Sequence, residues 1–173
     1  MTLLVRHPDT PPGAIRLVEA ELTRVPGGAL ARFRAVGDIS RIVMPPPATA
    51  VPTDGLWKST CFELFVTGEG AGYREYNFSP SSAFAAYAFD GHRTGMRPIP
   101  APIEIQFIRD PNSMTLIAKV ESELPNPAFV GLTAVIEETD GAIRYWSTAF
   151  APGKPDFHAD AVRSLLFDGV GTE

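Results

Sequence analysis

Prolines and glycines in this chain come in bunches, and the bunches limit how far any regular element can run. HPDTPPG (7–13), MPPPATAVPTDG (44–55), RPIPAPI (97–103), PNP (125–127) and APGKP (151–155) interrupt the sequence at intervals. Proline lacks the amide hydrogen a helix or central strand needs, and glycine loses more freedom on ordering than any other residue. Between the bunches lie IRLVEAELTR, ALARFRAV, ISRIVM, CFELFV, YREYNFS, AFAAYAF, IEIQFIR, MTLIAKVE, GLTAVIEE, AIRYWSTA and RSLLF. Most are short, alternating and rich in branched or aromatic side chains, so roughly ten strands and almost no helix are predicted.

The joints between these segments are turn-like. VPGG, GEGAG, RDPNS and TDG offer Gly, Asn or Asp where a tight turn needs positive φ. Sequential strands should therefore be antiparallel neighbours, and the economical all-β solution is a two-sheet antiparallel β-sandwich, with a closed barrel second. Neither an internal repeat nor a second domain is visible. One β-sandwich domain over residues 1–173, with its core at about 15–168, is expected.

Composition narrows the function classes. The 173 residues are 45% apolar and 20% charged, as in a globular protein. Fifteen basic against twenty acidic residues give a net charge of −5 with no basic cluster, so nucleic acid is not an expected partner. The lone cysteine, Cys61, excludes an internal disulfide and a Cys-cluster metal site and fits a reducing compartment. MTLLVRH is too short an apolar run for a signal peptide, and no later run matches a membrane span. A soluble, cytoplasmic protein without a membrane partner is expected; the oligomeric state is not legible.

Several motifs carry little chemistry. GEGAG precedes a strand rather than a helix, so it reads as a hairpin loop and not a phosphate cradle. SPSS lacks a nucleophile elbow, and His7, His92 and His158 lie far apart in the chain. In DFHAD an extended segment would point Asp156, His158 and Asp160 the same way, yet such residues in a Pro/Gly-rich loop are usually turn-formers. No metal and no cofactor is assigned.

LWKSTCFELFV at 56–66 is more informative. Phe62, Leu64 and Val66 alternate as a core face should, which puts Glu63 on the opposite face, six residues after Trp57. Across the GEGAG hairpin, Glu75 and Asn77 share one face of YREYNFS. An aromatic plane beside carboxylate and amide groups suits a sugar ring, whose weakly apolar face stacks while its hydroxyls take directed hydrogen bonds. A core tryptophan beside a solvated sheet face explains the same residues equally well.

The order LWKSTCFELFV, YREYNFSPSSAFAAYAFDGHR, RYWSTAFAPGKPDFH resembles the DOMON-like group related to family 9 carbohydrate-binding modules, over residues 15–168. That resemblance implies a β-sandwich with a ligand cleft on a concave sheet face and no catalysis. Trp57 and Glu63 match its sugar-binding pattern. Asn77 stands where the sugar-binding modules carry arginine, and Phe157 or His158 stands near their second aromatic wall. The relatives' calcium site has no counterpart here.

The expected function is a non-enzymatic module whose ligand, most simply a mono- or oligosaccharide, meets Trp57, Glu63, Glu75, Asn77, Phe157 and His158, with no catalytic residue. Two alternatives stay open. One is a structural or protein-interaction domain with Trp57 in its core; the other is an enzyme pairing Glu63 or Glu75 with His158.

Overall fold

A computed structural model describes residues 1–169. Twelve strands run in chain order: β1 Thr2–Arg6, β2 Ile15–Val25, β3 Gly28–Gly37, β4 Cys61–Thr67, β5 Tyr73–Phe78, β6 Phe84–Phe89, β7 Arg97–Pro98, β8 Ile103–Asp110, β9 Ser113–Val120, β10 Ala128–Glu137, β11 Ile143–Ser147 and β12 Leu165–Phe167. The only helical turns among the described residues are three 3₁₀ segments of three residues each. None is long and apolar enough to cross a membrane. Every strand-to-strand ladder is antiparallel, and the VPGG, GEGAG, RDPNS and TDG turns each join hydrogen-bonded neighbours.

The two expected sheets are instead one continuous, curled sheet in the order β7-β6-β5-β4-β10-β11-β1-β2-β3-β9-β8, with β12 added beside β10. The link is β1, whose first half pairs with β2 through Thr2, Leu3 and Leu4 while Val5 and Arg6 pair with Ser147 and Trp146 of β11. The segments expected from the sequence do not include TLLVR, and without β1 nothing joins β2 to β11. ISRIVM departs too. The Asp38 side chain accepts from the Ser40 amide and caps a 3₁₀ turn at Ile39–Arg41, which diverts the chain before it can extend.

The halves share a core. Along β3, Ala29, Ala31, Phe33 and Ala35 point inward, and along β9, Met114, Leu116, Ala118 and Val120 do the same. Phe33 meets Phe62 of β4 at 5.1 Å between ring centroids and Phe78 of β5 at 6.2 Å. The β2-β3-β9-β8 half is solvated on its other face, as Arg32, Arg34 and Lys119 show by their place opposite the core residues.

The β4-β5-β6-β10 half differs because both its faces are covered. Every residue from Cys61 to Val66 is buried. Phe62, Leu64 and Val66 enter the shared core, while Phe65 belongs to a second cluster with Tyr73, Tyr87, Phe89, Val135 and Phe157 on the opposite face. Chain from the Leu56–Lys58 turn and the 148–162 segment lies over that face. Between these coverings a cleft opens.

Candidate functional site

The cleft has a volume of about 370 Å³ and takes its walls from parts of the chain distant in sequence. Its floor is the outer face of the sheet, where Glu63 of β4 and Glu75 of β5 project together. Glu63 pairs in register with Asn77, so Glu75 stands two residues along the same face and diagonal to it. Trp57 forms one rim, and Phe157 and His158 form the other.

Trp57 is held by local geometry. Gly55 adopts φ +78° ahead of the Leu56–Lys58 turn, a conformation that costs glycine little. The indole then meets the Tyr87 ring edge-on at 6.1 Å, and the Tyr87 hydroxyl donates to Asp54 at 2.5 Å. The turn is thereby fastened to β6, and Trp57 sits at the cleft wall with partial exposure.

The opposite rim is fixed more elaborately. The Tyr73 hydroxyl lies 2.7 Å from His158 Nδ1 and accepts the backbone amide of Arg93 at 3.1 Å. With its oxygen accepting from Arg93, the phenol's own hydrogen is free for Nδ1. His158 is then the tautomer protonated at Nε2, which faces Glu75 Oε2 at 3.8 Å. Arg163 stacks 4.4 Å over the Tyr73 ring, donates to the His158 carbonyl at 3.4 Å and pairs with Asp160. Asp156 accepts from the His158 amide and from His92 and Arg93. The three polar residues of DFHAD therefore serve different partners, and no cluster of three or more metal-ligating His, Cys, Asp or Glu occurs among the described residues.

Burial sets the charge state of this floor. Desolvation, then repulsion from Glu75, pushes the Glu63 carboxyl well above the carboxylate range, against a 2.9 Å hydrogen bond donated by Thr133. Burial raises Glu75 to about 7, opposed by Asn77 and Arg93. Burial, then the Arg93 cation, lowers His158 to about 4, so its ring is neutral at pH 7. Burial pushes against ionisation of Asp156 as well, but hydrogen bonds from His92 and Arg93 outweigh it and hold that carboxyl low. Two carboxyls, a neutral imidazole donor and a half-exposed arginine thus share one cleft.

A polar row runs beneath it. Asn77, Glu63, Thr133 and Ser147 lie in register across β5, β4, β10 and β11. All four are buried; Thr133 donates to Glu63 at 2.9 Å, and Asn77 bears on Glu75 from within the row.

Of the six residues singled out from the sequence, Trp57, Glu63, Glu75, Phe157 and His158 line the cleft. Asn77 is fully buried in the row beside Glu63 and is not part of the lining. Sequence reasoning missed Tyr73, Arg93, Met96 and Tyr145. Tyr73 alternates with Glu75 and Asn77 on β5 and was readable by that spacing. Arg93 and Met96 stand in the loop between β6 and β7, where no periodicity points them anywhere. Tyr145 lies on β11, which AIRYWSTA foreshadowed, but its face depended on register.

No family model matches this chain, and no curated protein matches it in sequence. In structure it is similar to a putative carbohydrate-binding protein from Bacteroides uniformis, with a TM-score of 0.62 at 13% identity over 93% of this chain and 82% of the other. At that identity the likeness shows a shared β fold.

Proposed function

We propose that this chain is a non-enzymatic binding module whose cleft takes a small polar ligand, a saccharide before other classes. The observation that carries the reading is convergence: an indole at the rim and two carboxyls on the floor, with Phe157 and His158 opposite, drawn from residues 57 to 158 into one cleft. Trp57 offers a flat apolar wall for a pyranose face, while Glu75, His158 Nε2–H and Arg93 supply acceptors and donors at fixed positions. The name of the Bacteroides uniformis neighbour agrees with this, and we extend the reading to a relationship with the DOMON-like and family 9 modules. Their arginine has no counterpart at Asn77, but Arg93 brings a guanidinium to the same cleft from another loop. The single buried thiol of Cys61 suits a reducing, cytoplasmic setting.

A partly exposed Trp57 beside a cleft favours this reading over a structural or protein-interaction domain with the tryptophan in its core. One observation speaks for an enzyme instead: Glu75, at about 7, faces His158 within the cleft, as an acid–base pair would. We rank binding first, on the convergence of the indole and the polar groups on one cleft.

The test is a glycan panel followed by titration under tryptophan fluorescence. Affinity for a monosaccharide should be on the order of millimolar to micromolar. Trp146 is buried in the core and provides an internal reference. Binding lost in Trp57→Ala by titration calorimetry, which does not depend on the indole signal, supports the proposal; silence across the panel, or calorimetric binding unchanged by that substitution, rejects it. Turnover of any glycoside would transfer the site to the enzymatic reading.

A further inference from the structure

A second groove, of about 690 Å³, lies beyond β6 at the end of the sheet, where the Val51–Thr53 and Pro98–Ile99 segments hydrogen bond to that strand. Its floor is Phe84, Ala86 and Ala101, all buried, and its rims are two proline-rich segments, Pro52–Asp54 and Pro98–Pro102. Polar side chains are few: Thr53, Asp54 and Tyr87, and the last two are already hydrogen bonded to each other. This surface offers an occupant almost nothing but apolar contact.

The groove adjoins the saccharide cleft. Met96 lines both, and its side chain is 47% exposed between them. Tyr87, which lines the groove, is the ring against which Trp57 of the cleft packs. The partition is thus two aromatic rings and one flexible thioether. Methionine adapts its shape readily, so a ligand can pass beside it without disturbing the sheet.

A peptide strand is a poor occupant. Pro98, Pro100 and Pro102 supply no amide hydrogens along the edge where strand addition would occur, and Phe84 already pairs with Val51 and Thr53. What fits a polar cleft continuous with an apolar groove is a molecule with both characters.

We propose that the ligand is an amphiphile: its polar head lies in the Trp57–Glu63–Glu75 cleft, and an alkyl or aryl group attached to it passes Met96 into the Phe84–Ile99 groove. This rests on the saccharide reading for the head, while the tail site stands on the groove itself. Covering several methylenes there should raise affinity at least tenfold.

The experiment compares octyl with methyl glycosides of glucose and galactose, below the micelle concentration, reading methyl NMR signals of Met96 and Ile99 and the Trp57 indole. The octyl compounds should bind at least tenfold tighter than their methyl partners and shift Met96 and Ile99, which the methyl compounds leave unmoved at Ile99. Ile99→Ser should remove most of the octyl advantage while leaving methyl-glycoside binding intact, because Ile99 lines the groove and not the cleft; its folding is checked by the undisturbed Trp146 signal. Equal affinities for octyl and methyl compounds with a shifted Trp57 overturn the tail site and leave the saccharide reading standing. Octyl-dependent shifts at Ile99 that survive Trp57→Ala unchanged uphold the groove and reject the saccharide head. No shift at Ile99 from any octyl compound overturns the proposal.

Discussion

Tyr73 and His158, separated by 85 residues of chain, meet at 2.7 Å through the phenol oxygen and Nδ1. That bond fixes which imidazole nitrogen carries the proton and which way the ring faces Glu75. The Tyr73→Phe variant keeps the stacked ring against Phe89 and loses only the hydroxyl. It should cost about 1–2 kcal/mol, since it leaves a buried nitrogen unpaired. In ¹⁵N spectra of His158 the Nε2–H tautomer should give way to a mixture.

The titrations of Glu75 and His158 oppose each other. Glu75 moves from an ordinary 4.5 to about 7 in the fold, so the stability linked to its proton is present below pH 4.5 and lost as pH rises through 7. His158 moves from 6.5 to about 4, so its stabilising contribution is present above pH 6.5 and lost as pH falls through 4. Between pH 4.5 and 6.5 these two slopes offset each other, and Glu63, also raised by burial, adds a loss of stability as pH rises. Glu75→Gln removes one slope. Denaturant melts should show it matching the wild type near pH 4 and exceeding it by on the order of 2–3 kcal/mol at pH 8.

Gly131 of β10 faces the turn at Asp160–Val162, and a Cβ there would stand 2.6 Å from the Val162 carbonyl oxygen. Backbone cannot yield as a side-chain tip can. Gly131→Ala should lower stability by about 1–3 kcal/mol and displace the segment that carries His158, visible as a changed His158 ring signal and weaker ligand response.

Glu138 and Arg144 form a buried pair at 3.1 Å, with Glu138 also accepting from the Ala14 amide and Arg144 donating to the Pro11 carbonyl. They pin the 7–14 segment to the β10–β11 hairpin. Glu138→Ala strands a buried guanidinium and should cost about 3–5 kcal/mol. Replacing both residues by apolar ones of similar volume should cost less than Glu138→Ala alone, which a denaturant series on the two variants would measure.

The sequence was most readable where one strand told its own story. The alternation of Phe62, Leu64 and Val66 set Glu63 on the far face without knowledge of any neighbour, and its spacing from Trp57 survived because a short turn links them. Asn77 shares the face of Glu63 but lies buried beside it rather than in the cleft lining, since how deeply a residue lies depends on what covers the sheet. Arg93 and Met96 were invisible for a related reason: loop residues obey no period, and only the fold brings the 92–96 turn beside Asp156. The TLLVR strand escaped notice because five residues with two exposed apolar side chains, Leu3 and Val5, alternate too weakly to stand out.

That inconspicuous strand has a consequence for how the molecule is made. Half of β1 can settle against β2 once the first hairpin exists, but Val5 and Arg6 must wait for Ser147 and Trp146. The seam between the halves stays open until β11 is available. Closing so long a loop is slow. Closure of this sheet therefore waits on β1, the strand that touches both halves.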